Sequence, residues 1–142
     1  MRSRLSRMRH QKGTAAVEFA FMLPLFLTLL FGVIELSFAM YDKAIITNAA
    51  REAARAGIVV AKPRVSSTKI SDVATDYVSG LLVTFGSTSL PTVSVDQSEG
   101  TSAGKPLKVT VSYTYNGLLL TSLVKGLVGP IKLDAATVMT YE

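Results

Sequence analysis

The sequence predicts an α+β chain. A long N-terminal helix crosses a membrane and leads into a small domain with a second, amphipathic helix and an antiparallel sheet of about three strands. Three observations carry this prediction. An uncharged apolar run, FAFMLPLFLTLLFGVI, occupies residues 19–34. Apolar residues then recur at helical spacing between Ile70 and Leu82. Beyond residue 92 the pattern changes to alternation, the period of a half-buried strand. With 142 residues, 49% hydrophobic and 18% charged, the chain is too apolar to be disordered. It divides into a basic leader at 1–13, a hydrophobic and then amphipathic helix at 14–60, and an α/β domain at 61–142.

The leader holds Arg2, Arg4, Arg7, Arg9 and Lys12 and no acid, while the rest of the chain balances 10 basic against 10 acidic residues. The net charge of +5 therefore belongs to one short terminal block. A nucleic-acid reader concentrates its cations on a folded face, so nucleic acid is not an expected partner. A basic block before an apolar run instead has the form of a cytoplasmic anchor under the positive-inside rule.

Residues 19–34 rise only about 24 Å as a helix, short of the ~30 Å hydrocarbon core. Extended to 14–40 the run is long enough, which places Glu18 near one membrane face. Pro24 deprives the Ala20 carbonyl of its donor and predicts a kink. Thr28 and Gly32 form a small-xxx-small pair that lets another helix approach. Three readings of this run compete. It is a cleaved secretory signal, with Ser37-Phe38-Ala39 as the cleavage triplet and Met40 as the new terminus. Or it is a plain single-span anchor. The third reading depends on the residues around Gly13.

Those residues are Lys12-Gly13-Thr14-Ala15-Ala16-Val17-Glu18-Phe19: a basic leader closed by glycine, four small or apolar residues, a glutamate, an aromatic, and the apolar run. The arrangement resembles the type IV prepilin processing motif. The version here, GTAAVEFAFMLPLFLTLLFGVIE, is similar to the TadE-like family of pseudopilins from the tight-adherence (Flp) pilus system. The resemblance continues in NAAREAARAG at 48–57 and ATVMTYE at 136–142. It is specific over 9–57 and weak between about 60 and 105.

The resemblance implies a minor pseudopilin, cut between Gly13 and Thr14 by a prepilin peptidase on the cytoplasmic side. It implies that Glu18, followed by Phe19, pairs with the terminal amine of a neighbouring subunit. The partners would be the peptidase, other pilins and pseudopilins, and lipids of the bacterial inner membrane. The N-terminus would lie inside and the domain outside the cytoplasm, at the base of the pilus or within it. Physical chemistry fits these roles. Glycine permits close backbone approach in a protease cleft, and the basic leader holds the cut site beside anionic headgroups. A terminal ammonium and a carboxylate are each costly near hydrocarbon, and pairing offsets much of that cost.

Beyond the membrane the helix is expected to continue to about Gly57, some 65 Å from Thr14, with Gly57 and Pro63 marking its end. Ala49, Ala50, Ala53, Ala54 and Ala56 cluster on one side, favouring both close packing and helix formation. Arg51, Glu52 and Arg55 read as solvated, with Glu52 and Arg55 an i, i+3 pair. Residues 62–67 break the chain, and Ser66 or Ser67 caps the second helix. Its apolar stripe is Ile70, Val73, Ala74, Tyr77, Val78, Leu81 and Leu82. Asp72 and Asp76 lie on the polar side.

A loop follows at 86–91, a strand at 92–97, a turn-rich stretch at 98–106 and a strand at 107–115. Asn116-Gly117 signals a turn. Residues 118–128 read as a short helix or a packed loop, and after Gly129-Pro130 a last strand covers 131–141.

The chain has no cysteine and one histidine, His10. A thiol nucleophile, a Ser-His-Asp triad and a His- or Cys-ligated metal are therefore excluded, leaving a Ser-Lys pair as the remaining nucleophilic arrangement. Asp96, Ser98 and Glu99 match no standard calcium loop. No catalytic residue, cofactor or metal is assigned. The expected function is structural; the alternative is a single-pass envelope protein whose outer domain binds a partner without processing.

Overall fold

The computed structural model describes residues 3–117 and 131–142, with side chains from Gly13 onward. The stretch 118–128, read as helix or packed loop, lies outside the described residues.

Helix α1, Ser3–Ile58, is a single element of 56 residues. It starts eleven residues before the expected position at Thr14, because Arg, Lys, Gln and Met in the leader are good helix formers and no proline precedes Pro24. At Pro24 the helix is not interrupted. Thr28 donates its hydroxyl back to the Pro24 carbonyl at 2.8 Å, so this hydroxyl serves its own helix.

Residues 14–34 are exposed, Gly32 alone being half-covered. From Glu35 onward one face of α1 is buried: Glu35, Ala39, Asp42, Ile46, Ala49, Ala50, Ala53 and Ala54. The spacing is that of one helical stripe. The exposed apolar part of α1 that could cross a membrane is thus 14–34, and its 21 residues rise about 31 Å, close to the ~30 Å hydrocarbon core.

Helix α2, Ser67–Val78, is capped by Ser66, whose hydroxyl accepts from the Lys69 N–H at 3.3 Å. It buries Ile70, Ala74 and Val78 against α1. The apolar period continues to Leu82, yet the helix stops at Val78. Ser79 N–H donates to Thr75 and Asp76, and Gly80 turns the chain at φ +73°, a left-handed conformation that glycine adopts readily.

Three strands follow: β1 Thr92–Asp96, β2 Pro106–Tyr115 and β3 Ile131–Thr140. They form an antiparallel sheet in the order β1-β2-β3. Val95 faces Val109, Val111 faces Ala135, and Tyr115 faces Ile131. Alternation along β2 puts Leu107, Val109, Val111, Tyr113 and Tyr115 in the core and Lys108, Thr110, Ser112 and Thr114 on the outer face. The two helices cover the inner face, α1 over β2 and β3 and α2 beside β1. This is the predicted α+β arrangement.

Candidate processing and assembly site

Gly13, Thr14, Glu18 and Phe19 all lie on α1 and are exposed. Thr14 and Glu18 are four residues apart, one turn, and share a helix face. A Cβ built on Gly13 would meet nothing within 4 Å. The fold therefore places no packing demand on that position, and a substitution there tests processing without disturbing the domain. Gly13 is helical, and glycine makes unwinding the helix at this point easier by up to about 1 kcal/mol relative to alanine.

The alternative cut after Ala39 falls in a different setting. Ala39 is buried in the core, and the Phe38 ring meets Phe85 edge-on at 5.3 Å. Removing 1–39 would take Glu35, Phe38 and Ala39 out of the domain.

Where α1 enters the domain, the structure gathers polar groups that sequence reasoning missed. Asp42 is fully buried. Its Oδ1 accepts from the Val83 N–H at 2.9 Å, pinning the chain after α2 to α1, and its Oδ2 has no hydrogen-bond partner among the described residues. The buried Tyr113 hydroxyl likewise has none among the described residues, and Tyr115 donates to the Glu35 carbonyl at 3.2 Å. Burial raises the Asp42 carboxyl above the ordinary range, partly countered by the Val83 N–H. Burial, with the negative charges of Glu35 and Asp42, pushes the Tyr115 phenol up to about 12. A signal existed: Asp42 occupies an apolar position of the stripe, seven residues after Glu35.

The fold thus favours protonated Asp42. Its contribution to stability is complete below the ordinary carboxylate value and is lost as pH rises through its raised value in the fold. Asp42→Asn keeps an acceptor for Val83 and removes the charge. The variant should be at least as stable as the parent at pH 7, and the parent should gain on it as pH falls toward about 4. Denaturant midpoints of both proteins at the two pH values check this; parallel responses would rule out a buried ionised Asp42.

At the far end of the domain, Arg64 binds several chain segments together. It donates to the Val59 carbonyl at 3.1 Å and the Glu142 carbonyl at 2.7 Å, and lies over the Tyr141 ring. Gln97 donates to the Tyr141 hydroxyl at 2.6 Å. Lys43 donates to the Asp134 carbonyl, tying α1 to β3.

Asp72 and Asp76 are exposed on α2, as are Arg51, Glu52 and Arg55 on α1. The Asp96 carboxylate accepts from the Ser98 N–H at 3.0 Å, closing a local turn, and Ser98 holds its carboxyl below the usual range. Among the described residues, no group of three or more His, Cys, Asp or Glu converges as a metal site.

A sequence family described as TadE-like protein matches residues 13–55. The match supports a TadE-like classification of this segment, and it covers under a third of the chain. No match was found among curated proteins or among solved structures. A TadE-like segment on a helix apolar and long enough to span a membrane fits a pilus-associated membrane protein.

Proposed function

We propose that this chain is a minor pseudopilin-like structural component for assembly of a bacterial Flp (tight-adherence) pilus, made as a precursor and cut after Gly13 by a prepilin peptidase. The observation that supports this best is a coincidence of position. The TadE-like match begins at Gly13, the residue that closes the basic leader, and Glu18 follows at the spacing of the prepilin motif.

In this reading the leader stays in the cytoplasm, 14–34 crosses the inner membrane, and the domain lies outside. Glu18 meets the ammonium of a neighbouring chain's Thr14 as helices bundle, with Phe19 beside it, and the partners are other pilins and pseudopilins. The protein is a substrate and a building element, not an enzyme.

Expression in a host carrying the cognate peptidase should give a mature chain that begins at Thr14, read by intact mass or N-terminal sequencing. Gly13→Leu should leave the precursor inserted and uncut, because insertion follows the apolar run and cleavage follows backbone access. Processing of Gly13→Leu at the same bond would overturn the peptidase assignment. A mature chain beginning at Met40 would support a secretory signal, and an unprocessed parent would support the plain anchored envelope protein.

A further inference from the structure

The fold leaves no spacer between span and domain. Exposed residues 14–34 match the hydrocarbon thickness, and the next residue, Glu35, is already buried in the domain. With the span filling the bilayer, the end of the domain that holds Glu35 stands among the lipid headgroups, a zone about 5–8 Å deep on each side. Two contacts identify what else stands there. Tyr115 donates to the Glu35 carbonyl at 3.2 Å, and Ile131 is its cross-strand partner. Leu90 shares a surface hollow with Thr114 and Lys132, the strand pair next to Tyr115 and Ile131. Leu90 is 83% exposed, more than Phe21, the most exposed large apolar residue of the span at 78%.

We infer that this end of the domain is a second, peripheral membrane contact, in which Leu90 and Ile131 enter the headgroup–acyl boundary of the leaflet facing the domain. The inference rests on reading 14–34 as a membrane span. It adds that the domain is seated on the bilayer instead of being held above it by the helix alone. Apolar groups at that depth leave water as those of an interfacial helix do. Lys132 and Asp134 both line the hollow beside Leu90. Their opposite charges leave the hollow without a net charge, so the contact would rest on Leu90 and Ile131 and should change little with salt.

The chain contains no tryptophan, so single-tryptophan variants of the full chain report depth directly. The probes are Leu90→Trp, Phe26→Trp in the span, and Val138→Trp. Val138 is exposed and lies seven residues from Ile131 on β3, about 24 Å along the strand. Each variant is placed in phosphatidylcholine–phosphatidylglycerol vesicles containing lipids brominated near the headgroup or at mid-chain.

Phe26→Trp should be quenched most by mid-chain bromine, and Val138→Trp by aqueous acrylamide only. Leu90→Trp should shift to the blue and lose about half its emission to shallow bromine, at low and high salt alike. If Leu90→Trp behaves like Val138→Trp while Phe26→Trp is deep, the peripheral contact is overturned and the span stands. A blue-shifted Leu90→Trp that no brominated lipid quenches means protein covers the surface, which also overturns the contact. A water-exposed Phe26→Trp removes the span itself, and the contact with it.

Discussion

Gly57→Leu should destabilise the domain by about 3 kcal/mol, whereas Gly57→Ala should change its stability little, although both add a side chain at the same atom. Gly57 is buried in the last turn of α1, where α2 and β2 converge on it. A Cβ there stands 2.5 Å from Leu107 Cδ2, 2.7 Å from Ile70 Cδ1 and 3.1 Å from Ile70 Cγ1. The two nearest atoms are terminal methyls, so a small rotation of each side chain admits one methyl group. Replacing a helical glycine by alanine also returns about 1 kcal/mol, which offsets that strain. Leucine adds three further heavy atoms against Leu107 and Ile70, both fully buried, and the crossing of α1 with α2 and β2 must open. Chemical denaturation of the detergent-solubilised full chain measures the difference. Parent-like stability of Gly57→Leu would refute the close crossing. Processing should survive the substitution, because Gly13 and the span lie outside the domain.

Glu18→Ala should abolish support of piliation while leaving a processed, stable, membrane-resident protein. For a simple anchor this change is harmless or slightly favourable, since an ionised carboxylate near hydrocarbon costs free energy. For an assembling pseudopilin it deprives the new ammonium at Thr14 of its counter-charge when helices bundle. Breaking a buried ion pair by removing one partner costs about 3–5 kcal/mol, and less near headgroups. Glu18 is exposed on α1 and outside the core, so domain stability gives no competing explanation for the loss. Processing, co-isolation with partner pilins and piliation are scored side by side. Normal piliation with Glu18→Ala would remove the charge-pairing mechanism and leave the bare anchor as the better account.

The features legible in the sequence are those with local causes. An uncharged apolar run of this length has the composition of a membrane-spanning helix, because backbone groups in lipid must bond within the helix. Ser66 caps α2 through a bond spanning three residues. Alternation in 107–115 and 131–141 reproduces β2 and β3 within a residue at each end, because successive side chains on a strand face opposite sides. The α2 stripe was equally clear, but Leu81 and Leu82 continued it in sequence beyond the point where Gly80 turns the chain. The amphipathic period outlasted the helix because apolar groups beyond a turn can face the same core.

The sequence by itself determined the basic leader, the apolar run and the alternation of helix and strand patterns, and it set Gly13 and Glu18 just before the apolar run. Only the tertiary structure decided where the exposed apolar part of α1 gives way to the packed domain. Glu35 and Asp42 look like the boundary of an apolar helix, yet they are buried because Tyr115, eighty residues later, and Val83, forty-one residues later, bond to them. Likewise Gly57, expected to mark the end of α1, stands one residue before that end and is also the point where Ile70 and Leu107 approach its backbone. Arg64, which also holds the Val59 carbonyl, reaches Glu142 across seventy-eight residues. Periodicity and capping are short-range properties that a sequence displays directly. The burial of a carboxylate or the closeness of a crossing depends on which distant segments come together, and that is settled only when the sheet and the helices pack.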